Sequence, residues 1–211
     1  MKSGRVVCIL AAAAAALSLA ACGKGASTST AAAPPANTVH FVNSPDNAKA
    51  PGLAQHYVDF SFDYPKDWSV DPETGTASAQ NFVKVGRETA DHITTENFAV
   101  GNFSGSSFLI PMALGQFENQ MSGWPGYKRL SLGPTTINGL AGQQLAFTAT
   151  PEANGKPLNM FGRLAVIPAA NNGTGVILVM LGTAAGGINS IDDLGTKGEL
   201  PVVLSSFKLG K

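Results

Sequence analysis

The chain of 211 residues carries 14 basic and 14 acidic side chains, with 13% charged residues in all and no basic run. That balance excludes the electrostatic footprint of a nucleic-acid binder, or of a protein held to anionic lipid by its own charge. Both cysteines, Cys8 and Cys22, stand near the start, so the rest of the chain has no disulfide, cysteine nucleophile or thiolate metal site.

Lys2 and Arg5 precede Val6 to Leu19, an alanine-rich stretch of about 14 residues without charge. This falls short of the roughly 18 to 20 apolar residues that cross a membrane as a helix, and reads as the apolar region of a cleaved signal peptide over 1–21. Leu19-Ala20-Ala21-Cys22 then resembles the lipobox of bacterial lipoproteins. The resemblance implies a diacylglycerol thioether on Cys22, cleavage before it and membrane attachment through lipid. Two or three acyl chains, at about 0.8 kcal/mol per buried methylene, hold durably. Cys8 leaves with the peptide. Loss of Lys2 and Arg5 leaves 12 cations against 14 anions, a net charge of about −2. The expected location is a cell membrane, facing periplasm or exterior. In a host with two membranes, Gly23 is similar to outer-membrane sorting, since inner-membrane retention usually has Asp there.

From Gly23 to about Pro51 the chain is mostly Ala, Ser, Thr, Pro, Asn and Gly, a composition that buries too little apolar surface to offset ordering. Residues 22–52 are therefore expected to form a tether with a reach of roughly 30 Å. Its one apolar patch, Val39 to Val42, is a candidate edge strand. Residues 53–211 have the usual size of one domain.

Tyr57 to Phe62 alternates, with Val58, Phe60 and Phe62 on one face, and predicts a half-buried strand closed by Tyr64-Pro65. Trp68 and Val70 follow. Phe82 to Val85 and Phe98 to Phe103 predict two strands joined by a polar connection over 86–97. In Phe108 to Met121 the period changes: Ile110, Leu114, Phe117 and Met121 share one helical face, Ser107 is placed to cap, and Gly123 ends the helix. Leu140 to Thr150, Leu158 to Ile167 and Val176 to Leu181 predict an antiparallel meander with turns at Asn154-Gly155 and Asn172-Gly173. The last run does not alternate, so both of its faces must be covered. Ser190 and Asp193 read as a capping pair, Leu200 to Leu204 as helix, and Phe207 to Leu209 as a terminal strand. The expected fold is α+β, an antiparallel sheet between helices in a three-layer α/β/α sandwich.

Phe60-Ser61-Phe62-Asp63-Tyr64-Pro65-Lys66-Asp67-Trp68 is similar to the aromatic opening of PsbP-like proteins. The mid-chain helix, the meander and Ser206-Phe207 fit the same pattern over about Tyr57 to Lys211. The resemblance implies an α/β/α sandwich with accessory or binding roles and no catalytic residues to transfer.

Candidates for chemistry are sparse. Of three histidines, His40 lies in the expected tether and His56 at the domain entrance. His92 stands with Glu88, Asp91 and Glu96 in the densest acidic cluster, whose oxygen and imidazole donors suit a divalent ion but match no ligand spacing. A polar loop accounts for the same residues. Gly101-Asn102-Phe103-Ser104-Gly105 misses the serine-hydrolase elbow, and no histidine follows His92 to complete that order. Gly173-Thr174-Gly175 lacks the residues of a phosphate loop. Asp192-Asp193 reads as the acidic first turn of a helix. Trp68, Trp124 and Tyr127 are the aromatic candidates. Trp124, in Gly-Trp-Pro-Gly after the helix, is either an exposed partner contact or, like Trp68, a plug at the end of the core. The leading expectation is a lipid-anchored envelope protein, not an enzyme and without cofactor, whose domain binds a protein partner or small ligand. The alternative is an envelope enzyme with a divalent metal in the 88–96 loop.

Overall fold

The computed structural model describes residues 37–170 and 173–210. Cys22, the signal peptide and Asn172 lie outside them. Seven strands form the main sheet: β3 (Ser69–Val70), β4 (Val83–Glu88), β5 (Thr94–Ser104), β6 (Lys128–Ile137), β7 (Leu140–Ala149), β10 (Met160–Pro168) and β11 (Thr174–Thr183). Their order is β3-β4-β5-β11-β10-β7-β6, and every neighbouring pair is antiparallel. A smaller sheet has the order β1-β2-β12, from β1 (Thr38–Val42), β2 (Phe60–Pro65) and β12 (Lys208–Leu209). The two-residue strands β8 (Glu152–Ala153) and β9 (Lys156–Pro157) flank Asn154 and Gly155, both at positive φ, as the Asn-Gly turn predicts.

The predicted meander β7-β10-β11 is observed, and β11 is buried on both faces for the reason its sequence suggests. Ile177 joins a core with Phe103, Leu145, Phe147, Leu164 and Val166 under α2 (Ile110–Met121), whose Ile110, Leu114 and Met121 point inward. Val176, Leu178 and Met180 face the other way, with Val85, Phe98, Val100 and Ile167. That second face is covered by α3 (Leu200–Ser206) through Leu200 and Val203, and by the small sheet through Phe60, Phe62 and Phe207. Phe62 meets Phe98 edge-on at 5.0 Å, and Phe60 stacks on Phe207 at 6.0 Å. The fold is therefore α+β in three layers, with α3 sharing the second outer layer with three strands.

The folded domain begins well before residue 53. β1 pairs along β2, Val39 opposite Tyr64 and Phe41 opposite Phe62. Ala48, Ala50 and Leu53, the last in the short helix α1 (Pro51–Ala54), are buried. Small residues that read as tether are small here because they pack under the aromatic cluster. A second difference concerns β6, a ten-residue strand that the pattern missed: it is the last strand of the sheet, exposed along most of both faces, and so shows no alternation. The expected polar connection over 86–97 is shorter than its composition suggests, because β4 runs to Glu88 and β5 starts at Thr94. α2 begins at Ile110 after a 3-10 turn, so its N-cap position is Leu109 rather than Ser107, and Phe108 is left 87% exposed. Ser190 and Asp193 do form their pair, Asp193 N–H donating to Ser190 Oγ at 3.2 Å, but on a 3-10 turn. Among the described residues no helix is long and apolar enough to cross a membrane.

Candidate functional site

α2 ends beside the free edge of the main sheet, and the loop after it carries Trp124. The indole packs edge-on against Phe147 of β7 at 6.0 Å, with Tyr127 on the same ring at 5.7 Å. Phe147 is fully buried, whereas Trp124 remains 40% exposed. Trp68 is the tryptophan that plugs the core; Trp124 forms a rim. Glu118 on α2 clasps β6 by accepting from Arg129 Nη1 at 3.0 Å and from the Tyr127 hydroxyl at 3.4 Å. Burial, then the Glu118 charge, push the Tyr127 hydroxyl above its ordinary value.

Beyond this clasp Leu130 and Leu132 are 46% and 48% exposed. Leu132 stands opposite the buried Leu145 on the α2 side of the sheet, so an apolar surface runs out from the core to the margin. As the terminal strand, β6 turns one side of its backbone outward, interrupted by the bulge between Arg129 and Ser131 and by Pro134, which has no N–H. Aromatic rim, two leucines and a backbone edge together favour contact with an extended chain. They supply no nucleophile or acid-base pair.

The acidic cluster expected around His92 comes apart in the fold. Glu96 lines up with Phe98 and Val100 on the core face of β5 and is completely buried. Its carboxylate accepts the backbone N–H of Glu199 at 3.1 Å and of Leu200 at 3.2 Å, where α3 begins. Burial pushes this carboxyl above the ordinary glutamate value, against the pull of the two donors. Glu199 in turn accepts from Trp68 Nε1 at 2.8 Å and pairs with Arg87 at 3.2 Å. The arrangement fastens α3 to the sheet. Glu88 and His92 meet in the exposed turn at 3.5 Å, and the Asp91 backbone oxygen accepts there from Asn154. Among the described residues no group of three or more His, Cys, Asp and Glu is placed to hold a metal ion.

A different pair was missed. His40 Nδ1 donates to Asp63 Oδ1 at 2.6 Å, and Asp63 N–H donates to Ser206 Oγ at 2.8 Å. The Ser206 hydroxyl is bonded to the carbonyl of Val202, not to the imidazole, so serine, histidine and aspartate form a clasp rather than a relay. The alternation of β2 places Asp63 opposite His40, but only knowledge of β1 as a strand would have shown it. The surface concavities are open and mixed in polarity: one of about 240 Å³ lies beside Ser69, Asp71, Lys84 and Asn97, and one of about 390 Å³ beside Asp91, Asn154 and Lys156. Neither has the deep apolar lining of a small-ligand pocket.

No protein-family model and no curated protein matches the chain. Among solved structures it is similar to LpqN of Mycobacterium tuberculosis, described as involved in cell envelope biogenesis, with a TM-score of 0.50 and 14% identity over 82% of this chain and 92% of that one. The PsbP of the cyanobacterium Synechocystis aligns with a TM-score of 0.46 and 13% identity over 91% and 99%. The Ran-binding protein Mog1p of Saccharomyces cerevisiae aligns with a TM-score of 0.42 and 11% identity over 82% and 95%. At such identities the likeness to LpqN is one of α+β fold.

Proposed function

We propose that the protein is a lipid-anchored cell-envelope lipoprotein whose domain is a non-catalytic binding module that docks an extended segment of a partner protein along β6, beside Trp124. The observation that carries this is the run of half-exposed Trp124, Leu130 and Leu132 at an open strand edge. Strand addition uses backbone hydrogen bonds for affinity and alternate side chains for specificity, and such an edge offers both. The anchor rests on the lipobox at Leu19 to Cys22, with Gly23 favouring the outer membrane of a two-membrane host. The fold shared with an envelope-biogenesis protein accords with that location.

Two arms test it in cells. Cys22→Ser is expected to abolish labelling by an alkyne fatty acid and to leave an uncleaved or soluble product; normal labelling overturns the anchor. A photo-crosslinking amino acid at Leu130 or Leu132 is expected to capture one partner that the same group at exposed Lys156 does not. Equal capture from all three positions, or none, overturns the docking edge.

A further inference from the structure

The start of α2 turns apolar side chains to water. Leu109 and Ile110 pack into the core beneath the helix, Leu109 partly and Ile110 completely. Phe108, Pro111 and Met112, at spacings of three and four, share the opposite side of that turn and are all exposed. Phe108 is more exposed than any other large apolar residue among the described ones, and Met112 is 58% exposed.

Single exposed apolar residues are ordinary, but this group projects from an end of the sheet that has no charge. No charged residue and no histidine occurs in 97–117, 130–151 or 164–191. The fold brings these stretches together: Ser104 stands opposite Thr174 and Pro168 opposite Gly175, and Gly105 N–H donates to the Gly173 carbonyl at 3.1 Å. Ile137 and Leu140 close the β6–β7 turn at the same end. Asp59 and Lys208 belong to the small sheet, on the far side of the main sheet from α2. Removing charge from water is the chief cost of entering a lipid interface, and the Phe108 corner has none to remove.

We infer that Phe108, Pro111 and Met112 form a membrane-contacting tip, set among the headgroups and upper acyl chains of the bilayer that holds the anchor, which presupposes the lipid attachment proposed for Cys22. So few side chains partition weakly alone, but attachment makes the contact an intramolecular step. Residues 22–36 separate Cys22 from the described chain and span at most roughly 50 Å. That chain begins at the other end of the sheet, where Asn37 O accepts from Lys66 N–H near Trp68. The eleven residues of β5 span about 36 Å, so the anchor reaches while the tip is inserted. Trp124 then stands a helix length off, about 18 Å for the 12 residues of α2, which leaves its rim in water.

The mature full-length chain, purified from membranes and reconstituted in phosphatidylcholine vesicles containing acyl-brominated lipid, tests this. An environment-sensitive fluorescent amino acid is placed at Phe108, at Met112, or at exposed Lys156 beyond the other end of the sheet. Emission at 108 and 112 should shift to the blue and be quenched by bromine several-fold more than at 156. The quenching should persist at about 1 M salt, where attraction between charges reaches only about 3 Å. Met112→Asp, exposed and so without effect on the fold by circular dichroism, should cut the quenching at 108 several-fold. A chain that floats with the vesicles but is quenched equally weakly at all three positions overturns the tip and leaves the anchor standing. A chain that does not float overturns both. Quenching abolished by salt, or a blue shift without quenching that grows with protein density, as a second copy covering the patch would give, also overturns the tip.

Discussion

His40 and Asp63 are joined across the β1–β2 pair by a 2.6 Å hydrogen bond from the imidazole Nδ1 to a carboxylate that is largely buried. Beside them Phe41 packs against Phe62 at 5.2 Å and against Phe60 at 5.9 Å. Strand β1 is thus a working part of the second outer layer. A chain shortened to begin at residue 53 is expected to lose cooperative unfolding or to shift sharply to lower urea relative to one that begins at residue 37. Phe41→Ala should cost about 2–3 kcal/mol, near the low end for a buried aromatic because the ring is partly exposed. Urea titrations followed by tryptophan fluorescence measure all three.

Glu96 gives stability a pH dependence of definite sign. Its carboxyl lies above the ordinary value of 4.5 in the folded protein, so the folded state holds this proton more tightly than the unfolded one. The contribution is complete below about 4.5 and is lost as pH rises through the raised folded value. Glu96→Gln should remove this component from a plot of unfolding free energy against pH. Glu96→Ala leaves the N–H groups of Glu199 and Leu200 without an acceptor and should cost about 2–4 kcal/mol at neutral pH, with α3 the first segment to exchange its amide protons.

Two glycines should respond in opposite directions. A Cβ on Gly162 would press into the Phe147 ring that lies across it, so Gly162→Ala is expected to destabilise by about 1–3 kcal/mol. Gly115, in the interior of α2, has nothing within 4 Å of its Cβ position. Gly115→Ala should stabilise by about 0.4–1 kcal/mol, through helix propensity and a less flexible unfolded chain. Thermal and urea unfolding of the two variants provide the comparison.

Elements whose burial is complete were readable from local pattern. The six apolar residues from Val176 to Leu181 announced a strand covered on both faces, and Ile110, Leu114 and Met121 a helix over a sheet. Elements defined by distant partners were not. β1 takes its meaning from β2, whose Asp63 lies 23 residues from His40. Glu96 reads as loop polarity until its acceptors' partners arrive 103 residues later at the start of α3. β6 is solvated on both faces, so neither period marks it, although it forms the edge on which Leu130 and Leu132 stand. Trp124 stands apart from any core stripe between glycine and proline, and the fold leaves it 40% exposed against the Phe147 ring.

The Trp124–Phe147 contact separates folding from binding. Phe147 is fully buried with Leu145, Leu164 and α2, so Phe147→Ala should cost about 3–5 kcal/mol. Trp124 shares that contact at 6.0 Å but keeps 40% of its surface in water, and Trp124→Ala should cost only about 1–2 kcal/mol. A tryptophan that a docked partner buries fully at the centre of the contact is worth about 2 kcal/mol or more, roughly a thirtyfold loss of affinity. Trp124→Ala is therefore expected to keep the fold, read by far-ultraviolet circular dichroism and urea titration, while losing the partner captured from Leu130 and Leu132. A variant that keeps that capture undiminished would show that Trp124 serves the sandwich alone and that the docking edge lies further along β6.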